Sequence, residues 1–171
     1  GNARELFDVV KSMILQELEL SKRLRIYKNE IVYPAIDGKL KIISHEADRN
    51  HGGNLSAAIM DELHTYPSGE LANVLGTSTA ARENPLLINL TTAGSDRTSY
   101  CYEKYSYAKS VLNGAVRNPN FMPVIFEVEN KEANIADAKL WRSANPNYEV
   151  SISKKYLEKE SRKARDIPGY A

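Results

Sequence analysis

Asp61 and Glu62 are adjacent carboxylates that follow directly on the apolar run Ala57-Ala58-Ile59-Met60. Two acids in this position suit the hydrolysis of a nucleotide. The first can hold Mg²⁺, usually through water, and the second can orient or deprotonate the attacking water. Further along, Thr91 and Thr92 follow a second apolar run, Leu86-Leu87-Ile88-Asn89-Leu90. Their hydroxyls could contact a γ-phosphate or its water and pass on its loss to the rest of the protein. Both pairs also have an ordinary reading. Buried strands often end in acidic turns, and Thr-Thr-Ala-Gly is a common polar strand exit with a glycine for positive φ.

The elements around these residues must bring them together. Ala57 to Met60, uniformly apolar and bounded by polar residues, suits a strand covered on both faces in a mostly parallel sheet. Asp61 and Glu62 then lie at its carboxyl end, where open α/β sheets bind ligands. The Tyr66-Pro67-Ser68-Gly69 turn leads into a helix from Glu70, with Leu71, Val74 and Leu75 on one side. Leu86 to Leu90 is the second strand, and a crossover through that helix places Thr91 and Thr92 beside the acids. Ser95 or Asp96 can cap the next helix, in which Cys101, Tyr105, Ala108 and Leu112 recur until Asn113-Gly114. Tyr100, Tyr102 and Tyr107 on that helix read as core or helix contacts rather than base-stacking groups.

Upstream, Leu6, Val9, Val10, Met13, Ile14 and Leu18 predict an amphipathic helix of about four to five turns. Asp37-Gly38 signals a hairpin with a strand over Leu40 to Ile43. His45, Asp48 and His51 lie in a polar, glycine-bearing loop, but their spacing matches no standard zinc pattern. Downstream, Met122 to Val128 predicts a further strand, Ile135 to Trp141 a short helix, and Asn145-Pro146-Asn147 a turn. From Ser153 a charged helix runs to about Arg165, laced with pairs such as Lys154 to Glu158 and Glu158 to Arg162. With few apolar residues to bury, it reads as linker or lever.

Composition bounds the class. The 171 residues are 42% hydrophobic and 26% charged, enough for one core-bearing domain. Lys+Arg 23 against Asp+Glu 22 gives a net charge of +1, so a DNA partner would need a local basic face. The single cysteine, Cys101, excludes an internal disulfide, and no apolar run approaches a membrane span. The chain reads as cytoplasmic and soluble, with no membrane partner. Gly1-Asn2-Ala3 starts without Met, which hints at a processed or recombinant piece.

The order of these pieces resembles the ATPase domain of the large terminase subunit, the DNA-packaging motor of tailed bacteriophages and prophages. The matching residues are Ala58-Ile59-Met60-Asp61-Glu62-Leu63-His64 as Walker B and Leu86 to Gly94 as strand plus coupling motif. Tyr102-Glu103-Lys104, Trp141-Arg142-Ser143-Ala144-Asn145-Pro146-Asn147 and the closing charged helix continue the match. The resemblance implies an α/β fold, part of a P-loop NTPase sheet of the ASCE type, mostly parallel with flanking helices. It implies that Asp61 holds the Mg²⁺ of Mg-ATP, that Glu62 activates the hydrolytic water, and that Thr91 and Thr92 couple hydrolysis to motion. Motors of this family form rings on the capsid portal and complete each site with a neighbour's arginine, for which Arg49 is the candidate and Arg82 the rival. Double-stranded DNA, the portal protein and the small terminase subunit are the implied partners, in the cytoplasm of a bacterial host.

One departure qualifies the match. No G-x-x-x-x-G-K-[ST] occurs, so the phosphate-cradling Walker A loop and its strand are missing, as is the acidic cluster of a nuclease half. The expected organisation is a partial ATPase domain over 1–152 and a charged linker helix over 153–171. The chain alone is then expected neither to bind ATP tightly nor to hydrolyse it. Leu86 to Leu90 should lie on an open sheet edge and favour self-association. Two other readings compete. Asp61-Glu62-Leu63-His64 also fits the DExH box of helicases, with Thr91-Thr92-Ala93 in place of a Ser-Ala-Thr motif, and a non-enzymatic α/β assembly module could retain the same acids as vestiges.

Overall fold

A computed structural model describes residues 2–43, 54–130, 134 and 136–167. The chain divides into two units, Gly1–Tyr107 and Ala108–Ala171. The first carries two small sheets. Helix α1 (Asn2–Gln16) and helix α2 (Leu18–Arg23) precede an antiparallel sheet of β1 (Arg25–Ile26), β2 (Glu30–Tyr33) and β3 (Gly38–Lys41) in that order. The parallel pair β4 (Ala57–Met60) and β5 (Leu86–Asn89), joined through helix α3 (Glu70–Thr77), forms the other. The fold is thus mixed α/β, but the expected mostly parallel sheet is, among the described residues, an antiparallel triplet and a separate parallel pair.

The hairpin forms where Asp37-Gly38 predicts it, with Tyr33 opposite Gly38 and Glu30 opposite Lys41. A 3₁₀ turn over Pro34–Ile36 reverses the chain, and Asp37 closes it in the left-handed region at φ 52°. The first helix differs from its prediction. It is divided at Glu17, whose backbone is extended and whose carboxylate accepts the Glu19 N–H to cap α2. Its buried stripe is Phe7, Val10 and Ile14 against Ile31, Leu24, Ile26 and Ile42, whereas Leu6, Val9 and Met13 are exposed. The apolar residues of α1 cover more of the cylinder than one sheet can bury, and the spacing alone did not select the stripe containing Phe7.

The second core belongs to the parallel pair. Met60, Leu63, Ala72, Leu75 and Cys101 are buried together, with Ala58, Leu71, Tyr66 and Tyr100 packed against them. Ala58 and Met60 share a strand face with Leu87, which also lies against α3 at Gly76. The opposite face is open: Ile59 is 49% and Leu86 55% exposed. The expectation of a strand covered on both faces therefore holds on one face only, because α3 and the start of the following helix both pack on that face. Gly69, just before α3, is required by packing. A Cβ there would come within 2.5 Å of the Tyr100 ring at the start of helix α4 (Tyr100–Leu112). Ser99, rather than Ser95 or Asp96, caps α4 by accepting the Tyr102 N–H. Asp96 instead braces the preceding turn by accepting from the Thr98 N–H and hydroxyl, and these bonds hold its carboxyl below the usual range.

In the second unit, Met122 to Val128 forms no strand pairing, although exposure alternates along it, with Met122, Val124 and Phe126 outward. The predicted strand is therefore absent: the segment alternates as a strand would, but no neighbouring strand among the described residues pairs with it. Helix α5 (Ala138–Ala144) is capped by Asp137 and buries Trp141, whose ring meets Tyr148 edge-on at 6.5 Å. Asn145 ties the turn by donating from Nδ2 to the Trp141 carbonyl. Helix α6 (Lys154–Asp166) is capped by Ser153 and buries no residue. Lys154 pairs with Glu158, whereas Arg162 reaches the Glu158 carbonyl oxygen rather than its carboxylate. Among the described residues no helix is long and apolar enough to cross a membrane.

Among the described residues Leu63 is the most deeply buried large side chain, and it sits between Glu62 and His64. Leu63→Ala should cost about 2–5 kcal/mol in denaturant unfolding, with unchanged secondary structure by circular dichroism. A loss within 0.5 kcal/mol of zero, on the order of a surface substitution, would show that the turn is not anchored by this side chain.

Candidate functional site

The parallel ladder does not stop with the strands. Leu90 N–H donates to the Met60 carbonyl at 2.8 Å, and Leu63 N–H donates back to the Leu90 carbonyl at 3.0 Å. The turn after β4 is thereby fastened to the exit of β5. The next bond continues the series through a side chain, the His64 N–H donating to Thr91 Oγ1 at 3.1 Å. Four residues of β4 in register with four of β5 thus bring both strand ends to one place.

Between Met60 and Leu63 the backbone turns sharply. Glu62 adopts the left-handed conformation, φ 50° and ψ 52°, and a 3₁₀ turn over Leu63–Thr65 follows. Thr65 secures it by donating from its N–H and its hydroxyl to the Glu62 carbonyl, at 2.8 and 2.9 Å. A non-glycine residue here carries strain of about 1–2 kcal/mol. In return, the Glu62 carboxylate is directed at the β5 exit. Thr92 donates from its hydroxyl to Glu62 Oε2 at 3.4 Å, a long bond, and His64 Nδ1 lies 3.2 Å from the same oxygen.

Asp61 is half-buried, and its Oδ1 accepts the Glu62 N–H at 3.0 Å. Nearby, Tyr66 has its phenol pushed above the ordinary value, first by burial and second by the Asp61 carboxylate. Thr91, though exposed, has a second donor nearby: besides the His64 N–H, Cys101 Sγ lies 3.7 Å from its oxygen. The structure thus gathers Asp61, Glu62, Thr91 and Thr92 at one end of the parallel pair. Arg49, His45, Asp48 and His51 lie outside the described residues. Arg82 stands at the opposite end of β4, donating to the Asn54 carbonyl at 3.0 Å, and does not reach the acids.

His64 is the residue whose place at this site spacing did not disclose outside the helicase reading. Its position three residues after Asp61 carries no fixed direction until the left-handed turn at Glu62 is known. An open recess lies elsewhere, between α1 and β1, lined by Arg4, Phe7, Asp8, Lys11 and Tyr27. Its charged groups, Asp8 among them, are spread along the α1 surface, without the adjacent carboxylates and hydroxyls that the strand ends bring together. We therefore take the strand ends, where the hydrogen bonds converge, as the site.

The strain at Glu62 can be separated from its side-chain bonds by comparing two truncations. Glu62→Gly and Glu62→Ala both delete the carboxylate, but only glycine adopts φ near 50° freely. The glycine variant should be more stable by about 1 kcal/mol in urea unfolding, and equal stabilities would mean that the turn relaxes without strain.

Residues 2–110 match the family model of the terminase large subunit ATPase domain, a stretch that includes all four gathered residues. Protein YmfN of Escherichia coli K12 is 30% identical over 115 residues, covering 67% of this chain and 25% of that protein. The terminase large subunit of Enterobacteria phage HK97 is 26% identical, covering 98% of this chain and 34% of that protein. The crystal structure of the HK97 bacteriophage large terminase superposes with a TM-score of 0.84 at 21% identity, over 99% of this chain and 35% of that one. The chain spans a quarter to about a third of the length of these relatives. It belongs to the terminase large subunit ATPase-domain family.

Proposed function

We propose that this chain carries the Walker B and coupling-motif part of the ATP-hydrolysing motor that packages viral double-stranded DNA into procapsids. One observation carries the reading: the Glu62 carboxylate and the Thr92 hydroxyl meet at the joined carboxyl ends of two parallel strands. In this reading the parallel pair belongs to a P-loop sheet of the ASCE type. Glu62 orients and deprotonates the hydrolytic water, and its Oε1 has no hydrogen-bond partner among the described residues. Asp61 holds Mg²⁺. It offers a single carboxylate with Oδ1 already engaged by the Glu62 N–H, which suits a cation that keeps most of its waters. When bound, Mg²⁺ supplies positive charge to the phosphate oxygens. Thr91 and Thr92 pass the loss of the γ-phosphate to β5, and Arg49 serves a neighbouring subunit's site.

The sequence of this chain contains no phosphate-cradling loop, so in this reading ATP is held largely by polypeptide outside these residues. Residues 1–152 then form part of the ATPase domain, and 153–171, including α6, a linker toward a nuclease domain. DNA, the portal protein and the small subunit are partners of the whole motor. In the whole protein, Glu62→Gln should reduce kcat for ATP by about 10²–10⁴-fold with little change in KM, while this chain alone should show no turnover above background. A Glu62→Gln enzyme near the wild-type rate would assign water activation to another residue.

The edge of β5 away from β4 has no strand neighbour among the described residues, and Leu86 and Leu90 are 55% and 50% exposed. Such an edge favours pairing with a second copy. The isolated chain should show a mass in light scattering that rises with concentration, and a strictly monomeric mass at high concentration would count against this pairing.

A further inference from the structure

We propose that the outer face of helix α6, presented by Lys155, Lys159 and Arg162, is a sequence-independent contact for the phosphate backbone of duplex DNA. The choice of DNA as the polyanion rests on the reading of this chain as part of a DNA-packaging motor. The cationic ridge itself stands on charge and geometry.

The charge of the chain is unevenly spread. Helix α6 holds six basic residues, Lys154, Lys155, Lys159, Arg162, Lys163 and Arg165, against the three acids Glu158, Glu160 and Asp166, a net +3 over 13 residues. The whole chain carries +1, so everything outside this helix sums to −2. Each acid is already engaged: Glu158 pairs with Lys154 at 3.9 Å, Glu160 with Lys163 at 2.9 Å and Asp166 with Arg165 at 2.9 Å. The excess is left on Lys155, Lys159 and Arg162. Among the described residues no carboxylate lies within ion-pair distance of Lys155 or Lys159. Arg162 donates from Nε to the Glu158 carbonyl at 3.2 Å, which steadies the guanidinium without neutralising it. Asp166, one turn beyond Arg162, is held below the usual carboxylate range first by its hydrogen bond from Arg165, with the charges of Arg165 and Arg162 adding to it.

Helix geometry sets the three cations on one face. Positions 155, 159 and 162 are separated by four and three residues, so they follow one another along the axis. All three are exposed, whereas Leu157, Ser161 and Ala164, spaced in the same way on the opposite side, are half-buried. From Lys155 to Arg162 the helix rises about 10 Å. Over that distance a duplex presents about three phosphates on each strand. The ridge therefore meets a row of phosphates charge for charge when the helix lies along the duplex. Cations that lack a carboxylate partner bind such a row by displacing its condensed counterions, and phosphate contacts carry no sequence information. Other cations are less suited. Lys22 and Arg23 pair with Glu19, and Lys41 with Glu30. Arg4, in the recess beside α1, is bonded to the Lys28 carbonyl and to Asn29, and Asp8 lines the same recess.

Fluorescence anisotropy of the 171-residue chain with labelled duplexes of about 30 base pairs, in two unrelated sequences and between about 50 and 200 mM salt, tests this. The wild-type chain should bind both sequences alike, with Kd on the order of 10⁻⁴–10⁻⁶ M. Lys155→Gln, Lys159→Gln and Arg162→Gln together should weaken binding about 10-fold or more, and the slope of log affinity against log salt should flatten by about 0.9 per cation removed. Lys155→Arg, Lys159→Arg and Arg162→Lys together keep the charge and should bind as the wild type. Lys22→Gln, Arg23→Gln and Lys41→Gln together remove the same charge elsewhere and should leave affinity within about two-fold. Circular dichroism should show equal helix content in all four proteins. Equal losses in the two neutralised proteins would overturn the ridge in favour of net charge. Wild-type affinity in the neutralised ridge variant, or no binding by the wild type at the lowest salt, would also overturn it. Phosphatidylglycerol vesicles that bind the ridge more tightly than DNA would overturn the choice of DNA. None of these measurements involves ATP. A Glu62→Gln enzyme of normal rate would remove the proposed role of Glu62 and leave the DNA result standing, and failure of the ridge would leave the role of Glu62 untouched.

Discussion

The parallel pairing of β4 with β5, and its continuation past Met60, is the constraint on which the site depends. A two-stranded parallel ladder is a weak structure in isolation. Here it is extended by the Leu90 and Leu63 amides and then by the Thr91 hydroxyl, and it is backed by Met60, Leu63, Ala72 and Leu75. Two segments far apart in the chain thereby acquire a common end. Glu62, Thr91 and Thr92 need not recognise one another for their positions to be fixed, because register does it for them. One residue of slip would turn Met60 outward and move Thr92 away from the carboxylate.

The strain at Glu62 has a place in the same scheme. An ordinary extended exit from β4 would carry the carboxylate onward along the strand direction. The left-handed turn instead folds it back toward β5, and Leu63, immediately after it, secures the turn by burial. The stability that holds a strained polar residue thus comes from its apolar neighbour. This division of labour, with Leu63 as anchor and Glu62 as the residue turned toward β5, sets one of the deepest side chains of the unit beside the carboxylate that meets Thr92.

What the sequence revealed follows the range of the interactions involved. The hairpin at Asp37-Gly38, the apolar β4 and β5 and the helix between them are local patterns, and they form as read. So does the approach of Glu62 to Thr92, because parallel topology permits little else once both strands are accepted. Other features depended on partners the pattern could not name. The apolar set read for α1 includes the packed Val10 and Ile14 but has Leu6 where Phe7 is buried, because the two are equally apolar and only the sheet residues such as Ile31 distinguish them. Met122 to Val128 has the alternation of a strand, but alternation records what a segment is suited to, not whether a neighbour is present to pair with it. The place of His64 was hidden for a different reason: its direction depends on a backbone conformation at Glu62 that no residue type announces.

Helix α6 differs in kind from the strand ends. It buries no residue fully, and its polar contacts include a cap, the Lys154–Glu158, Lys163–Glu160 and Arg165–Asp166 pairs and Arg162 on the Glu158 carbonyl. Such contacts are screened by dissolved ions over about 10 Å at 0.1 M, whereas burial is not. The chain therefore contains two regions that answer differently to ionic strength. Added salt weakens the terminal helix while leaving the packed turn around Leu63 nearly untouched, so the ionic medium can tune the stiffness of one end of the molecule without disturbing the geometry of the other.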